Sequence, residues 1–83
     1  MSPMPTVLRQ NGFAVKIPVD DHLPPHVHVR KARAELVVNL GEGLTPPSPR
    51  ENRGMTTAEK SNALQIVRQH RDRLLTEWRK IHG

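Results

Sequence analysis

Val7-Leu8-Arg9-Gln10-Asn11-Gly12-Phe13-Ala14-Val15-Lys16-Ile17 is the stretch that decides the fold. Asn-Gly between two apolar runs is the strongest short hairpin signal, because a type I′ turn needs positive φ at both central residues. A two-residue loop pairs Gln10 with Phe13, Leu8 with Val15 and Thr6 with Ile17. Leu8, Phe13, Val15 and Ile17 then share one face, so turn chemistry and apolar pattern agree on the register. Upstream, two prolines and no apolar cluster predict disorder over residues 1–5.

Downstream, Pro18 ends the second strand and Asp20-Asp21-His22-Leu23-Pro24-Pro25 forms a loop. A residue before proline is pushed out of the helical region, so the loop leaves extended. It leads into His26-Val27-His28-Val29-Arg30, whose period of two sends Val27 and Val29 to one face and His26, His28 and Arg30 to the other. Ala34-Glu35-Leu36-Val37-Val38-Asn39-Leu40 is the fourth strand. A turn at Lys31-Ala32 pairs Val29 with Ala34, Val27 with Leu36 and His28 with Glu35. Neither Lys31 nor Ala32 favours the positive φ such a turn demands.

The composition then changes. Gly41, Gly43, Pro46, Pro47, Pro49 and Gly54 argue against a regular element over 41–55, with at most one helical turn in Arg50-Glu51-Asn52-Arg53. Thr56-Thr57-Ala58-Glu59 is a capping box, with Thr56 as N-cap. A single helix follows over 56–82. Leu64, Val67, Leu74, Leu75, Trp78 and Ile81 form its apolar stripe. Arg71 falls in the middle of that stripe, where an unpaired guanidinium is costly. One helix on one face of a four-stranded antiparallel sheet is an α+β two-layer fold in a single domain. The other sheet face stays polar and carries the histidines.

With 83 residues and no cysteine, neither disulfides nor thiolate metal sites can staple the chain. A small partner protein or self-association is the expected second source of stability. Lys and Arg number 13 against 8 Asp and Glu, a net charge of +5, which favours an anionic partner such as nucleic acid or an acidic protein. Only Phe13 and Trp78 are aromatic, which excludes a row of rings for stacking bases. The chain shows neither a signal-peptide pattern nor an apolar run long enough for a membrane span, so a cytoplasmic location is expected.

His22, His26 and His28 are the candidate metal ligands. Residues i and i+2 on a strand stand about 7 Å apart on one face, and His22 could join from the loop. Zinc accepts three such nitrogens, so a divalent metal is the cofactor this donor set would take. Alternatively, His26, His28 and Glu35 are the candidate catalytic residues for acid–base chemistry on a phosphodiester. Arg30, Lys31, Arg33, Arg68 and Arg71 are the candidate contacts to nucleic acid or to a partner. No nucleophile elbow, phosphate loop or zinc-protease helix is present.

Met4-Pro5-Thr6-Val7, the run Asp21-His22-Leu23-Pro24-Pro25-His26-Val27-His28-Val29-Arg30-Lys31, Ala34-Glu35 and Asn52-Arg53-Gly54-Met55-Thr56 leading into a helix ending near Trp78 resemble the small bacterial family catalogued as domain of unknown function 4160. Ala32 stands where a turn glycine is more usual, and the 41–49 link is unusually rich in Pro and Gly. The resemblance implies no established activity. It implies a component of a two-gene cassette, sometimes called toxin–antitoxin-like, and assigns no residue a catalytic role. Two expectations follow. The chain is a binding component of a two-protein module, or it is a metal- or His-dependent hydrolase or ribonuclease.

Overall fold

A computed structural model describes residues 3–20 and 23–82. Five antiparallel strands form one sheet in sequence order: β1 (Thr6–Gln10), β2 (Phe13–Lys16), β3 (His26–Lys31), β4 (Ala34–Asn39) and β5 (Ser48–Arg53). Two helices, α1 (Thr57–Gln69) and α2 (Arg71–His82), cover one face. The α+β two-layer expectation holds, with one more strand than the sequence suggested and a broken helix. No helix among the described residues is long and apolar enough to cross a membrane.

The first hairpin forms as the Asn-Gly turn dictates. Asn11 and Gly12 have φ of 52° and 81°, and Gln10 pairs with Phe13 and Leu8 with Val15. A bulge then shifts Thr6 onto Lys16 instead of Ile17. The Ile17 N–H donates to the Pro5 carbonyl at 3.1 Å and the Val19 N–H to that of Pro3 at 3.2 Å. Within the segment expected to be disordered, Pro3 and Pro5 are thus hydrogen-bonded to residues just past β2, and residues 1–2 lie outside the described residues.

The β3–β4 register differs from the expected one by two residues. The loop is Ala32-Arg33, so Lys31 pairs with Ala34, Arg30 with Glu35, Val29 with Leu36 and His28 with Val37. Ala32 accepts a φ of 53°, the left-handed conformation for which it is poorly suited. A shift of two preserves the side-chain alternation. Every residue assigned to the core or to the polar face therefore stays there.

Within the link expected to be irregular, β5 adds to β4 as an edge strand, and all six of its residues are exposed. An edge is where a sheet tolerates Pro49, and a bulge lies beside it between the partners of Val37 and Val38. Asn52 then closes the turn into α1. Its Oδ1 accepts from the Met55 N–H at 2.9 Å, and its Nδ2 donates to the Met55 carbonyl at 3.1 Å.

The capping box is present. The Glu59 N–H donates to Thr56 Oγ1, and the Thr56 N–H donates to Glu59 Oε1. The helix is interrupted at His70, whose φ and ψ of −114° and 16° leave helical space. His70 Nε2–H donates to Gln10 Oε1 at 2.9 Å, tying the interruption to the end of β1. Ala63, Ile66 and Val67 of α1, and Leu74, Leu75 and Trp78 of α2, pack on Phe13, Val15, Val27, Val29, Leu36 and Val38. Burial of this set, at about 1.5–3 kcal/mol for each large side chain, is what holds the layers together.

Candidate functional site

The helices cover one sheet face, so residues of the opposite parity line the other. Two cross-strand rows organise it. One runs Lys16, His28, Val37, Glu51; the other runs Ala14, Arg30, Glu35, Arg53. His26 stands at the start of β3 opposite Asn39. His26, His28, Arg50, Glu51, Arg53 and Val37, with Leu23 from the loop, line one hollow of about 450 Å³.

Hydrogen bonds to acceptor oxygens orient both imidazoles. A carbonyl can only accept, so His26 Nδ1 carries the proton it gives to Pro24 O at 2.9 Å. A carboxylate likewise accepts, so His28 Nδ1–H donates to Glu35 Oε1 at 3.2 Å. In each neutral ring Nε2 is therefore the lone-pair nitrogen. The ring centroids are 5.7 Å apart, with planes at 50°. His26 is buried, and His28 nearly so.

Glu35 is the hub of the face. Buried beneath it, the carboxylate accepts from His28 on one oxygen and from Arg53 Nη1 at 3.0 Å on the other. Arg53 also pairs with Glu51. This chain of charges fastens the exposed β5 to β4 and leaves Arg53 largely compensated. Arg50, at the bulge, makes no ion pair among the described residues, so it is the uncompensated cation of the hollow.

The structure brings His26, His28 and Glu35 together, as the sequence led us to expect, although Glu35 lies diagonal to His28 rather than opposite it. His22 lies outside the described residues. Among the described residues, no group of three or more His, Asp or Glu side chains is arranged to hold a metal ion.

The five cationic candidates do not form one patch. Arg30 is exposed on the polar face and Arg33 in the turn after it. Lys31 turns to the helical side, its Nζ 4.8 Å from the Phe13 ring centroid. Arg68 and Arg71 belong to the helical layer, beside the interruption. Trp78 is core and stacks on His82 with centroids 4.1 Å apart.

Arg50, Glu51 and Arg53 did not emerge as site residues from the sequence. Their signal was present in the charged alternation of Glu51 and Arg53, which sends both to one face of a strand. Pro49 and the lack of apolar partners masked it.

A family model with the description Domain of unknown function (DUF4160) matches residues 12–79. No curated protein and no solved structure matches the chain.

Proposed function

The chain belongs to the DUF4160 family, and from that premise we propose that it is the binding component of a two-protein, toxin–antitoxin-like module that docks a small partner protein on the polar face of its sheet. The observation that carries the proposal is the hollow between β3 and β5. Its floor is imidazole, its rim carries Arg50 without a counter-ion, and Leu23 and Val37 give it apolar ground. An acidic side chain projecting from a partner fits that combination, since a charge-assisted bond to Arg is strongest where apolar neighbours exclude water. The net charge of +5 steers such a partner in. It also suits contact with nucleic acid, for which Arg30 and Arg33 are exposed cations on and beside the same face.

Co-purification with the product of the adjacent gene tests this reading. Arg50→Glu and Leu23→Asp alter exposed residues and should leave folding intact. Each is expected to weaken retention of the partner about tenfold or more. Unchanged retention by both variants, or no complex with the wild-type chain, rejects the proposal.

A second reading is a His-based hydrolase or ribonuclease, favoured by the His28–Glu35 pair. A carboxylate that fixes the tautomer of an imidazole is the arrangement used to prepare a general base. Its metal-dependent form requires His22 to join His26 and His28, and metal analysis of tag-free protein checks it. Cleavage of a labelled RNA that is unchanged in a folded His28→Gln variant would exclude both forms.

A further inference from the structure

The loop between β4 and β5 holds an apolar residue out into water, and it is built to do so. Leu44 is wholly exposed. The Thr45 N–H donates to the Glu42 carbonyl at 2.9 Å, closing a turn around Leu44. Gly41 has a φ of 69°, and a Cβ there would run into the carbonyl oxygens of Thr45 and Pro46. Arg71 clamps the far side, Nη1 donating to the Thr45 carbonyl at 2.8 Å and Nη2 to that of Gly43 at 2.9 Å. Burying Leu44 would stabilise the chain by removing apolar surface from water. The fold instead fixes it at a tip.

Next to that tip lies a second hollow, of about 480 Å³, where the helix is interrupted. Leu44, Pro46, Arg68 and Arg73 are among its lining residues. Arg68 makes no ion pair or hydrogen bond through its side chain among the described residues. Arg73 makes one long bond, 3.3 Å, to the Val7 carbonyl. Among the described residues the only acidic side chain on the hollow is Asp72, which lies 3.5 Å from Arg71 Nε. Two guanidiniums are thus available beside a presented leucine.

We infer that this hollow is a second docking site, distinct from the polar sheet face, for a partner-protein segment in which an apolar residue is flanked by carboxylates. Leu44 and Pro46 cover the apolar side chain, and Arg68 and Arg73 take the carboxylates on either side. Arg71 is a positioning residue whose charge is spent on holding the loop. Nucleic acid fits less well, because a phosphate backbone has no use for a presented leucine.

The test is selection of displayed random peptides on the full-length chain, followed by affinity measurement with the selected peptides in labelled form. Peptides with Asp or Glu flanking an apolar residue should be enriched. Their affinity should fall about tenfold or more for Leu44→Asp and for Arg68→Glu/Arg73→Glu. Arg50→Glu, on the other face, should leave it unchanged, which separates failure here from failure of the sheet-face reading. Circular dichroism confirms that each variant is folded, and Arg71→Ala should weaken binding by releasing the loop without touching the peptide. Absence of the acidic pattern, or unchanged affinity in Leu44→Asp or in the double variant, overturns the inference. So does a short oligonucleotide that binds through Arg68 and Arg73 and is indifferent to Leu44→Asp.

Discussion

At Ala32 an alanine holds a φ of 53° where the β3–β4 turn would suit glycine. The left-handed conformation costs an L-residue about 1–2 kcal/mol, and glycine returns up to about 1 kcal/mol through its freer unfolded state. Ala32→Gly should therefore stabilise the chain by up to about 1 kcal/mol in urea unfolding. Gly41→Ala should do the reverse and cost more than about 1 kcal/mol, since both φ and the Thr45 carbonyl oppose a methyl group. Glu35→Ala leaves His28 and Arg53 without their shared acceptor and should cost about 2–3 kcal/mol by the same measurement. At this scale the sequence was informative where chemistry is local. Asn11-Gly12 fixed its own turn, and although His28 pairs with Val37 and not with Glu35, the side chains of His28 and Glu35 still meet on the diagonal. Ala32 belongs to the turn as expected, but the loop takes Arg33 rather than Lys31, because none of the three residues has the chemistry that fixes a turn.

Among the elements, α1 carries a pH-dependent start. The hydrogen bond from the Thr56 backbone N–H holds the Glu59 carboxyl below its ordinary value of 4.5. A carboxyl lowered in the folded state contributes stability that is complete above 4.5 and is lost as the pH falls through the folded value. The stability difference between wild type and Glu59→Gln should accordingly be present at neutral pH and vanish in acid. A difference that persists in acid would contradict the capping role. Thr56→Ala should cost about 1 kcal/mol at neutral pH. This box was legible because its four residues contain the whole device. The break at His70 was not, since Val67, His70 and Leu74 keep helical spacing across it. Its trace in the sequence was Arg71, a charge in the middle of an apolar stripe, which the fold uses as a clamp on the 43–45 carbonyls. Strand β5 was hidden for a related reason. With six exposed residues and a proline it buries nothing, so no apolar periodicity marks it. What fastens it is the ladder to β4 and the Glu35–Arg53–Glu51 chain, a long-range arrangement.

The whole molecule is a flat two-layer body of 34 × 33 × 20 Å. A layer this thin has one shared core, so Leu74→Ala, at a wholly buried position, should cost about 2–5 kcal/mol. That is a large share of the roughly 5–15 kcal/mol typical of a small domain, and the Trp78 fluorescence transition should report it as one cooperative step. The two layers also separate the surfaces. His26, His28 and Arg50 face away from the helices, while Leu44, Arg68 and Arg73 belong to the helical side. An NMR titration of the isotopically labelled full chain with the product of the adjacent gene locates recognition directly. Docking on the polar sheet face is expected to shift the signals of His28, Val37, Arg50, Glu51 and Arg53. Shifts confined to α1 and α2, or none at saturating partner, would contradict it.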